Sequence, residues 1–274
     1  MQIKLIACTL LLQLMLLAPQ AQAQSPISLD TGAAPGFDYD AALALSQAAI
    51  GHEVGDVSFT SADGRNLRLA DFRGKPLVLS MVYTSCYQIC PLTTQYLSQV
   101  VDKARAALGE NSFAIAVVGF DVRVDTPAAM QYFANRQGIS EAGWYLLSMT
   151  GKQVEQLSGD IGFRFLPSAS GFDHLIQATI IDAEGRVYRQ VYGQVFDTPL
   201  LVDPLIELVL GRSPPDQPLL SNLVSKIKLF CTTYDPARDG YYLDYSLFLG
   251  MLIGGSIILV TAVFTLRGRR KASS

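Results

Sequence analysis

The chain has 274 residues, of which half are hydrophobic, and a formal net charge of −3 at pH 7. The excess of acidic over basic residues disfavours a nucleic-acid partner, because binding to phosphate backbones requires clustered Lys and Arg. With only four cysteines and two histidines, the sequence excludes a disulfide-stapled scaffold and concentrates any thiol or imidazole chemistry in very few residues.

The N-terminal residues 1–23 predict a secretory signal peptide. Lys4 precedes an apolar stretch that ends at Ala23 in an A-x-A-like cleavage pattern. An uncleaved membrane anchor is the alternative, and the short apolar stretch disfavours it. Cleavage would remove Cys8 from the mature chain. Residues 24–49 are rich in small residues and predict a flexible leader with one short helix.

Residues 50–211 alternate strand-like and helix-like patterns and are long enough for one hydrophobic core. A strand, a cysteine-containing turn and a helix come early, and a hairpin and a final helix close the region. This order predicts an α/β, thioredoxin-like fold, a mixed sheet with flanking helices. The predicted elements are a hairpin at 59–69, a strand at 76–83, a helix at 92–108, a strand at 113–120, a helix at 126–137, a strand at 144–148, a helix at 151–162, a hairpin at 177–193 and a helix at about 198–210.

Cys86 and Cys90 lie between the predicted strand at 76–83 and the helix that follows it. A helix N-terminus stabilises a thiolate, and an i, i+4 spacing brings both sulfurs to one face. Such a pair can bind one soft metal ion or oxidise to a disulfide, and the pair alone does not decide between them. Two buried cysteines acting as small hydrophobic residues are the alternative, which polar neighbours such as Thr84 disfavour.

Two carboxylates, Asp121 and Asp125, follow the predicted strand at 113–120. Asp125 fits an ordinary role at the start of the next helix. Asp121 stands at the carboxyl end of a strand near the cysteines, so it is the better candidate for supporting the site or for docking a partner. Neither residue indicates a paired acid and base.

His174 is the candidate third ligand, because it immediately precedes a predicted central strand. A thioredoxin-like fold brings a loop at this point against the helix that carries the cysteines. Two thiolates and one neutral imidazole form a compact trigonal set suited to Cu(I), and Cu(II) is an option if a further ligand joins. A lone histidine is more often an ordinary polar residue, which is the alternative. Asp173 is equally suited to orienting the imidazole and to capping the turn.

The C-terminal region predicts a single membrane span. A linker at 212–245 contains Cys231, which could hand on copper, pair with another chain or be inert. Residues 246–266 carry no charge and are long enough to cross a bilayer as a helix. The basic tail at 267–274 marks the cytoplasmic side, so we expect the folded domain on the extracytoplasmic, periplasmic side. The part between signal and span has sixteen basic and twenty-four acidic residues, a net charge of −8.

Three segments, YTSCYQICP, FDVRVDTP and FDHLIQATIID, resemble in order and spacing the Sco/SenC family of copper-binding, thioredoxin-like proteins that take part in assembling cytochrome c oxidase. The resemblance covers roughly residues 50–211. It implies copper as the bound metal, a copper donor protein, and an oxidase subunit with a copper centre as recipient. The family's metal-binding residues and its paired aspartates correspond to Cys86, Cys90, His174, Asp121 and Asp125.

Two functions follow from these patterns. The first is a copper metallochaperone that receives copper in Cys86, Cys90 and His174 and delivers it to a membrane-bound oxidase. The second is a membrane-tethered thiol-disulfide reductase in which Cys86 attacks a target disulfide and Cys90 resolves the mixed disulfide. The CxxxC spacing and the nearby His174 favour metal binding, since oxidoreductases of this fold typically use CxxC.

Overall fold

Helices and strands alternate through most of the chain. The computed structural model describes residues 36–139, 142–210, 232–235, 239–243, 249–250, 252–259 and 261, so the predicted signal, residues 24–35 of the predicted leader, the basic tail and Cys231 lie outside the described residues. The helices are α1 (Tyr39–Ala48), α2 (Ile89–Leu108), α3 (Pro127–Gln137), α4 (Gly151–Asp160) and α5 (Thr198–Leu210). The strands are β1 (Ser58–Ser61), β2 (Asn66–Arg68), β3 (Leu77–Val82), β4 (Ala114–Gly119), β5 (Trp144–Ser148), β6 (Phe165–Ser168), β7 (Gly171–His174), β8 (Gln177–Ile181), β9 (Val187–Tyr192), β10 (Thr232–Asp235) and β11 (Gly240–Leu243).

Seven strands form one mixed sheet in the order β2-β1-β5-β4-β3-β8-β9. The central strands β3, β4 and β5 are parallel, with Leu77 opposite Ala114 and Ile115 opposite Trp144. β8 is antiparallel to β3, and β9 is antiparallel to β8. Every residue of β3, β4 and β8 is buried, as expected for strands covered on both faces. The predicted mixed sheet with flanking helices is confirmed.

Helix α2 begins earlier than the sequence predicts. Its first residue is Ile89, so Cys90 and Pro91 both lie in the first turn. The prediction started the helix after Pro91, but proline is tolerated here because the first N–H groups of a helix have no intrahelical acceptor. The early start places Cys90 inside the helix and leaves Cys86 in the turn before it.

His174 lies at the end of strand β7 rather than in the predicted loop. β6 and β7 form a separate two-stranded hairpin in which Phe165 is opposite His174. Both strands are four residues long, and Pro167 interrupts the local strand signal of β6. The hairpin is held by long-range ring packing, because Phe172 contacts Tyr83 in an edge-on geometry with ring centroids 5.2 Å apart.

Helix α1, within the predicted leader, is bound to the sheet by buried polar groups. The Ser46 hydroxyl donates to Oε1 of Gln177 (3.1 Å) and accepts from the Tyr192 hydroxyl (2.9 Å). The Gln190 side-chain amide donates to the Ile161 carbonyl (2.9 Å) in the adjoining turn. The hydrogen bonds between Ser46 and two strands of the sheet fix one orientation of the helix.

Gly162 lets α1 pack closely, and its replacement is expected to be costly. Its φ is +65°, and a Cβ would lie 2.5 Å from the Leu45 carbonyl oxygen and 2.7 Å from Ser46 Cα. Gly162→Ala should lower the free energy of unfolding by about 3 kcal/mol, because backbone must move in addition to the left-handed strain. Gly138→Ala is the matched control, since Gly138 has φ +70° and no atom within 4 Å of its Cβ position. Chemical denaturation measures both losses, and equal losses would contradict the close packing of α1.

The C-terminal region contains a second small hairpin, β10–β11, within the predicted linker. Asp239 lies in the turn between β10 and β11 and forms an ion pair with Lys103 of α2. The predicted span at 246–266 is described only at 249–250, 252–259 and 261, which are helical. Within the part of the chain that the structure describes, no helix is both long enough and apolar enough to cross a membrane.

Candidate metal centre

The two cysteine sulfurs meet at the N-terminus of α2. The Cys86 backbone N–H donates to the Tyr83 carbonyl (3.1 Å), which closes the turn after β3. The Cys90 backbone N–H then donates to Cys86 Sγ (3.2 Å). Both are free thiols, and they are 9% and 4% exposed, respectively. Cys86 is therefore the more exposed residue of the two, and the helix provides its sulfur with a backbone donor.

The surroundings give the two thiols opposite pKa shifts. Hydrogen bonding from the Cys90 thiol, the Cys90 backbone, the Tyr83 hydroxyl and the Gln88 backbone lowers the pKa of Cys86 to about 5, although burial opposes the shift. The pKa of Cys90 is raised well above its usual range, because its thiol donates to Cys86 and because it is buried. At neutral pH the pair thus consists of one thiolate, on Cys86, and one thiol, on Cys90.

The pH dependence of alkylation should show this asymmetry. In the reduced protein, Cys86 should react with iodoacetamide along a titration curve with a midpoint near pH 5, because only the thiolate is nucleophilic. Tyr83→Phe removes a donor to that thiolate and should move the midpoint upward. Peptide mapping by mass spectrometry assigns the label to each cysteine. A Cys86 midpoint at the ordinary thiol pKa, unchanged by Tyr83→Phe, would contradict the assignment.

His174 offers a neutral imidazole. Its Nδ1 lies 2.7 Å from the Leu175 carbonyl oxygen, and because a carbonyl can only accept, Nδ1 carries the proton. Nε2 is left with the lone pair that a metal requires. The ring packs against Phe163 and Phe120, with centroids 5.4 and 5.6 Å away. Burial in this aromatic cluster lowers the pKa of His174, which keeps the imidazole neutral at physiological pH.

The three predicted ligands are neighbours, but they do not form a closed ligand set. Cys86 is near enough to His174 for its charge to act on the imidazole pKa. Nevertheless, no three His, Cys, Asp or Glu side chains among the described residues converge closely enough to hold a metal ion as they stand. The chemistry of the donors, two sulfurs and one Nε2 in an apolar surrounding, fits Cu(I).

Asp125 holds the cysteine turn in place. Its buried carboxylate accepts hydrogen bonds from the Thr84 backbone N–H (2.8 Å), the Thr84 hydroxyl (2.7 Å) and the Asp121 backbone N–H (2.8 Å). Burial raises the pKa of Asp125. The capping role predicted for Asp125 is wrong, because Thr126 caps α3 by accepting from the Ala129 N–H (3.2 Å). Asp125 therefore connects α3 to the residues just before Cys86.

Asp121 and Asp173 have no hydrogen bond to the cysteines or to the imidazole among the described residues. The Asp121 carboxylate accepts from the backbone and side chain of Arg123 (3.2 and 3.4 Å), whose side chain is exposed. Asp173 does not orient the imidazole by a hydrogen bond, because the Leu175 carbonyl takes His174 Nδ1. Its Oδ2 is buried and has no hydrogen-bond partner within the described residues. Neither carboxylate lies among donors that converge with the two sulfurs.

Sequence reasoning missed two residues that shape the site. The Tyr83 hydroxyl hydrogen-bonds Cys86, and the Tyr83 ring packs edge-on against His174 at 6.0 Å. Phe120, at the end of β4, packs against both rings. Their positions in the sequence could have indicated this role. Each aromatic residue directly follows a buried strand, at the edge of the sheet where the cysteines lie.

The fold and site define a thioredoxin-like protein with an asymmetric dithiol at a helix N-terminus and an imidazole beside it. The model of the SCO1/SenC family matches residues 47–206, and the chain belongs to this family. A SCO1 protein homolog from Bacillus subtilis is 22% identical over 156 residues, which cover 55% of this chain and 78% of that protein.

Solved structures share the fold. A protein from Aquifex aeolicus is 28% identical with a TM-score of 0.55, and the match covers 61% of this chain and 98% of that one. Arabidopsis thaliana ScoI, solved with copper bound, is 18% identical with a TM-score of 0.51, and the match covers 58% of this chain and 98% of that one. At that identity the second likeness concerns the fold, which is the predicted thioredoxin-like one.

Proposed function

We propose that this protein is a copper metallochaperone that binds Cu(I) through Cys86, Cys90 and His174 and delivers it to a membrane-bound cytochrome c oxidase during assembly. The observation that carries the proposal is the pairing of a dithiol with a neutral imidazole whose Nδ1 is engaged and whose Nε2 is available. Family membership and the copper in a related Sco structure support it.

The residues would act as follows. Cys86 enters the site as a thiolate, whereas Cys90 must lose its proton when copper binds, because only thiolate sulfur is a strong ligand. The neutral His174 completes a trigonal set without adding a proton to be displaced. Copper is the cargo, so delivery proceeds by exchange of these ligands for those of the recipient. Such exchange needs no change in the oxidation state of copper.

Attachment to a membrane is part of the proposed function. We place the folded domain on the extracytoplasmic side, attached by a single span at residues 246–266 with the C-terminus in the cytoplasm. Support comes from the uncharged stretch and the basic residues after it. A tethered donor shares the membrane plane with its recipient oxidase, which raises the frequency of encounter between them.

A second candidate function is thiol-disulfide reduction of cysteines at the oxidase copper site. The opposite pKa shifts of Cys86 and Cys90 favour it, since they match an attacking thiolate and a resolving thiol. Cys86 would attack a target disulfide and release one target thiolate. Cys90 would then attack the mixed disulfide, so that Cys86 and Cys90 end oxidised and both target sulfurs end reduced.

Titration of the reduced protein with Cu(I) tests the leading proposal. The full chain, in detergent and without oxygen, competes for Cu(I) with a chromophoric chelator. We expect one copper per chain, bound tightly enough to withdraw the ion from the chelator, because two thiolates and an imidazole are soft ligands. Failure to withdraw copper, together with rapid reduction of a model disulfide, would reject the chaperone in favour of the reductase.

A further inference from the structure

A groove opens directly beside Cys86, between the N-terminal part of α2 and the C-terminal part of α3. Its volume is about 360 Å³, and Cys86 and Tyr87 line the end next to the dithiol. Gln95 of α2 and Gln137 of α3 also line it, and the Gln95 side-chain amide donates to Oε1 of Gln137 (3.0 Å). This hydrogen bond joins the two helices along the groove. Whatever enters the groove therefore lies against the reactive sulfur.

The groove is edged by large apolar side chains that are exposed. Tyr87 is 90% exposed, Tyr132 is 64% exposed and Val124 is 40% exposed, and all three line the groove. A free copper ion makes no use of such a surface. Exposed apolar side chains clustered around a reactive group are typical of a surface that another protein covers.

Charge defines the occupant more closely. Apart from the Cys86 thiolate at one end, Arg136 is the one charged side chain that lines the groove. Its guanidinium carbon lies 5.9 Å from the centre of the Tyr132 ring, and no carboxylate pairs with it among the described residues. The positive charge of Arg136 is complementary to an acidic side chain on a partner. It stands out because the region between the predicted signal and the predicted span carries a net negative charge. Arg and Tyr are also among the residues enriched as energetic anchors of interfaces.

We propose that this groove receives an extended segment of the partner protein, one that places an acidic side chain opposite Arg136, an apolar side chain against Tyr132 and a cysteine against Cys86. The inference rests on the proposed function in one respect, that Cys86 exchanges copper or thiols with a protein. The groove would then select the partner, while the dithiol and the imidazole hold the cargo. Specificity and metal binding are thereby divided between adjacent surfaces.

The test uses peptide disulfides, so it does not depend on copper. Two probes are the symmetrical disulfides of Ala-Glu-Cys-Glu-Ala and Ala-Lys-Cys-Lys-Ala. In the reduced full chain carrying Cys90→Ser, the Cys86 thiolate attacks a probe, the probe S–S bond breaks, and one peptide thiolate leaves as the mixed disulfide forms. Mass spectrometry with peptide mapping measures the rate at Cys86. The quantity compared is the ratio of the acidic-probe rate to the basic-probe rate.

Arg136→Glu should lower this ratio by about tenfold relative to the same chain without the substitution, because the groove changes from attracting to repelling an acidic segment. Arg189→Glu makes the same charge change on the exposed part of edge strand β9 and should change the ratio by less than about twofold, as expected for a charge that does not line the groove. Tyr132→Ser should slow both probes by a similar factor, since it removes apolar contact and no charge.

An equal change of the ratio in Arg136→Glu and Arg189→Glu would overturn the inference, because the effect would then be one of net charge. So would an unchanged ratio in Arg136→Glu accompanied by a change of oligomeric state, which would assign the groove to a second copy of this chain. If the parent protein does not bind Cu(I), the proposed copper function is refuted, but the rates of reaction with the peptide disulfides are unaffected. Failure of the copper function and failure of the groove proposal can therefore be told apart.

Discussion

Replacing His174 with alanine should lower the affinity for Cu(I) by about 100-fold or more, since even the loss of a residue that supports a metal ligand typically costs 10 to 100-fold. The two sulfurs can still hold copper, but the third donor of the trigonal set is lost. The structure supports His174 as that donor because Nδ1 is engaged by the Leu175 carbonyl and burial keeps the ring neutral. Competition with a chelator under anaerobic conditions measures the change.

The chain offers a matched control, His52→Ala. His52 is its other histidine, is exposed, and is held by backbone contacts, its N–H donating to the Ala49 carbonyl and its carbonyl accepting from the Val187 N–H. The control should leave the Cu(I) affinity unchanged. Disulfide exchange by the His174→Ala protein should remain close to that of the parent, because the attacking thiolate is on Cys86. Equal affinities for parent and His174→Ala would remove His174 from the site.

Asp125→Ala should lower the free energy of unfolding by about 3 kcal/mol, because an unsatisfied buried donor costs roughly 1–3 kcal/mol and the substitution leaves several. The Thr84 N–H, the Thr84 hydroxyl and the Asp121 N–H all donate to the Asp125 carboxylate. The same substitution frees the residues before Cys86 from α3. We therefore expect weaker Cu(I) binding in addition to the lost stability. Denaturant unfolding measures the first effect, and chelator competition the second.

Asp121→Ala is the control for this prediction. Among the described residues, the buried Asp121 carboxylate accepts hydrogen bonds from Arg123 alone, whose side chain is exposed, so we expect its removal to cost about 1 kcal/mol, less than the loss for Asp125→Ala. In the parent protein, the negative charge of Asp121 contributes to the raised pKa of Asp125. Removing Asp121 therefore also removes a repulsion between like charges. A larger loss of stability for Asp121→Ala than for Asp125→Ala would reverse the roles that the structure assigns to the two carboxylates.

Several elements were predictable because their signals are local. The apolar runs of β3 and β4 predict buried strands within one residue of their ends, and β5 lies at 144–148 as predicted. The hairpin turn at Gly185 has φ +84°, a conformation that glycine adopts without strain. The position of the cysteine pair between β3 and α2 was likewise readable from sequence. Each of these depends on neighbours a few residues apart.

Other features depended on contacts between distant parts of the chain. The β6–β7 hairpin is short and contains Pro167, so its local strand signal is weak, and it packs on Tyr83 and Phe120 from distant parts of the chain. The role of Asp125 was hidden because its partner Thr84 is 41 positions away. The start of α2 before Pro91 was missed for a more local reason, since proline is a weaker breaker in a first turn than in a helix interior.

By itself, the sequence determined the fold class, the order of the central strands and helices along the chain, and the cysteine pair at the start of α2, because hydrophobic periodicity and turn residues act over short distances. Only the tertiary structure decided which cysteine is the thiolate, which carboxylate holds the turn, and which groove adjoins the sulfur. The physical reason is that pKa shifts, buried hydrogen bonds and cavities arise from groups that the fold brings together from separate segments.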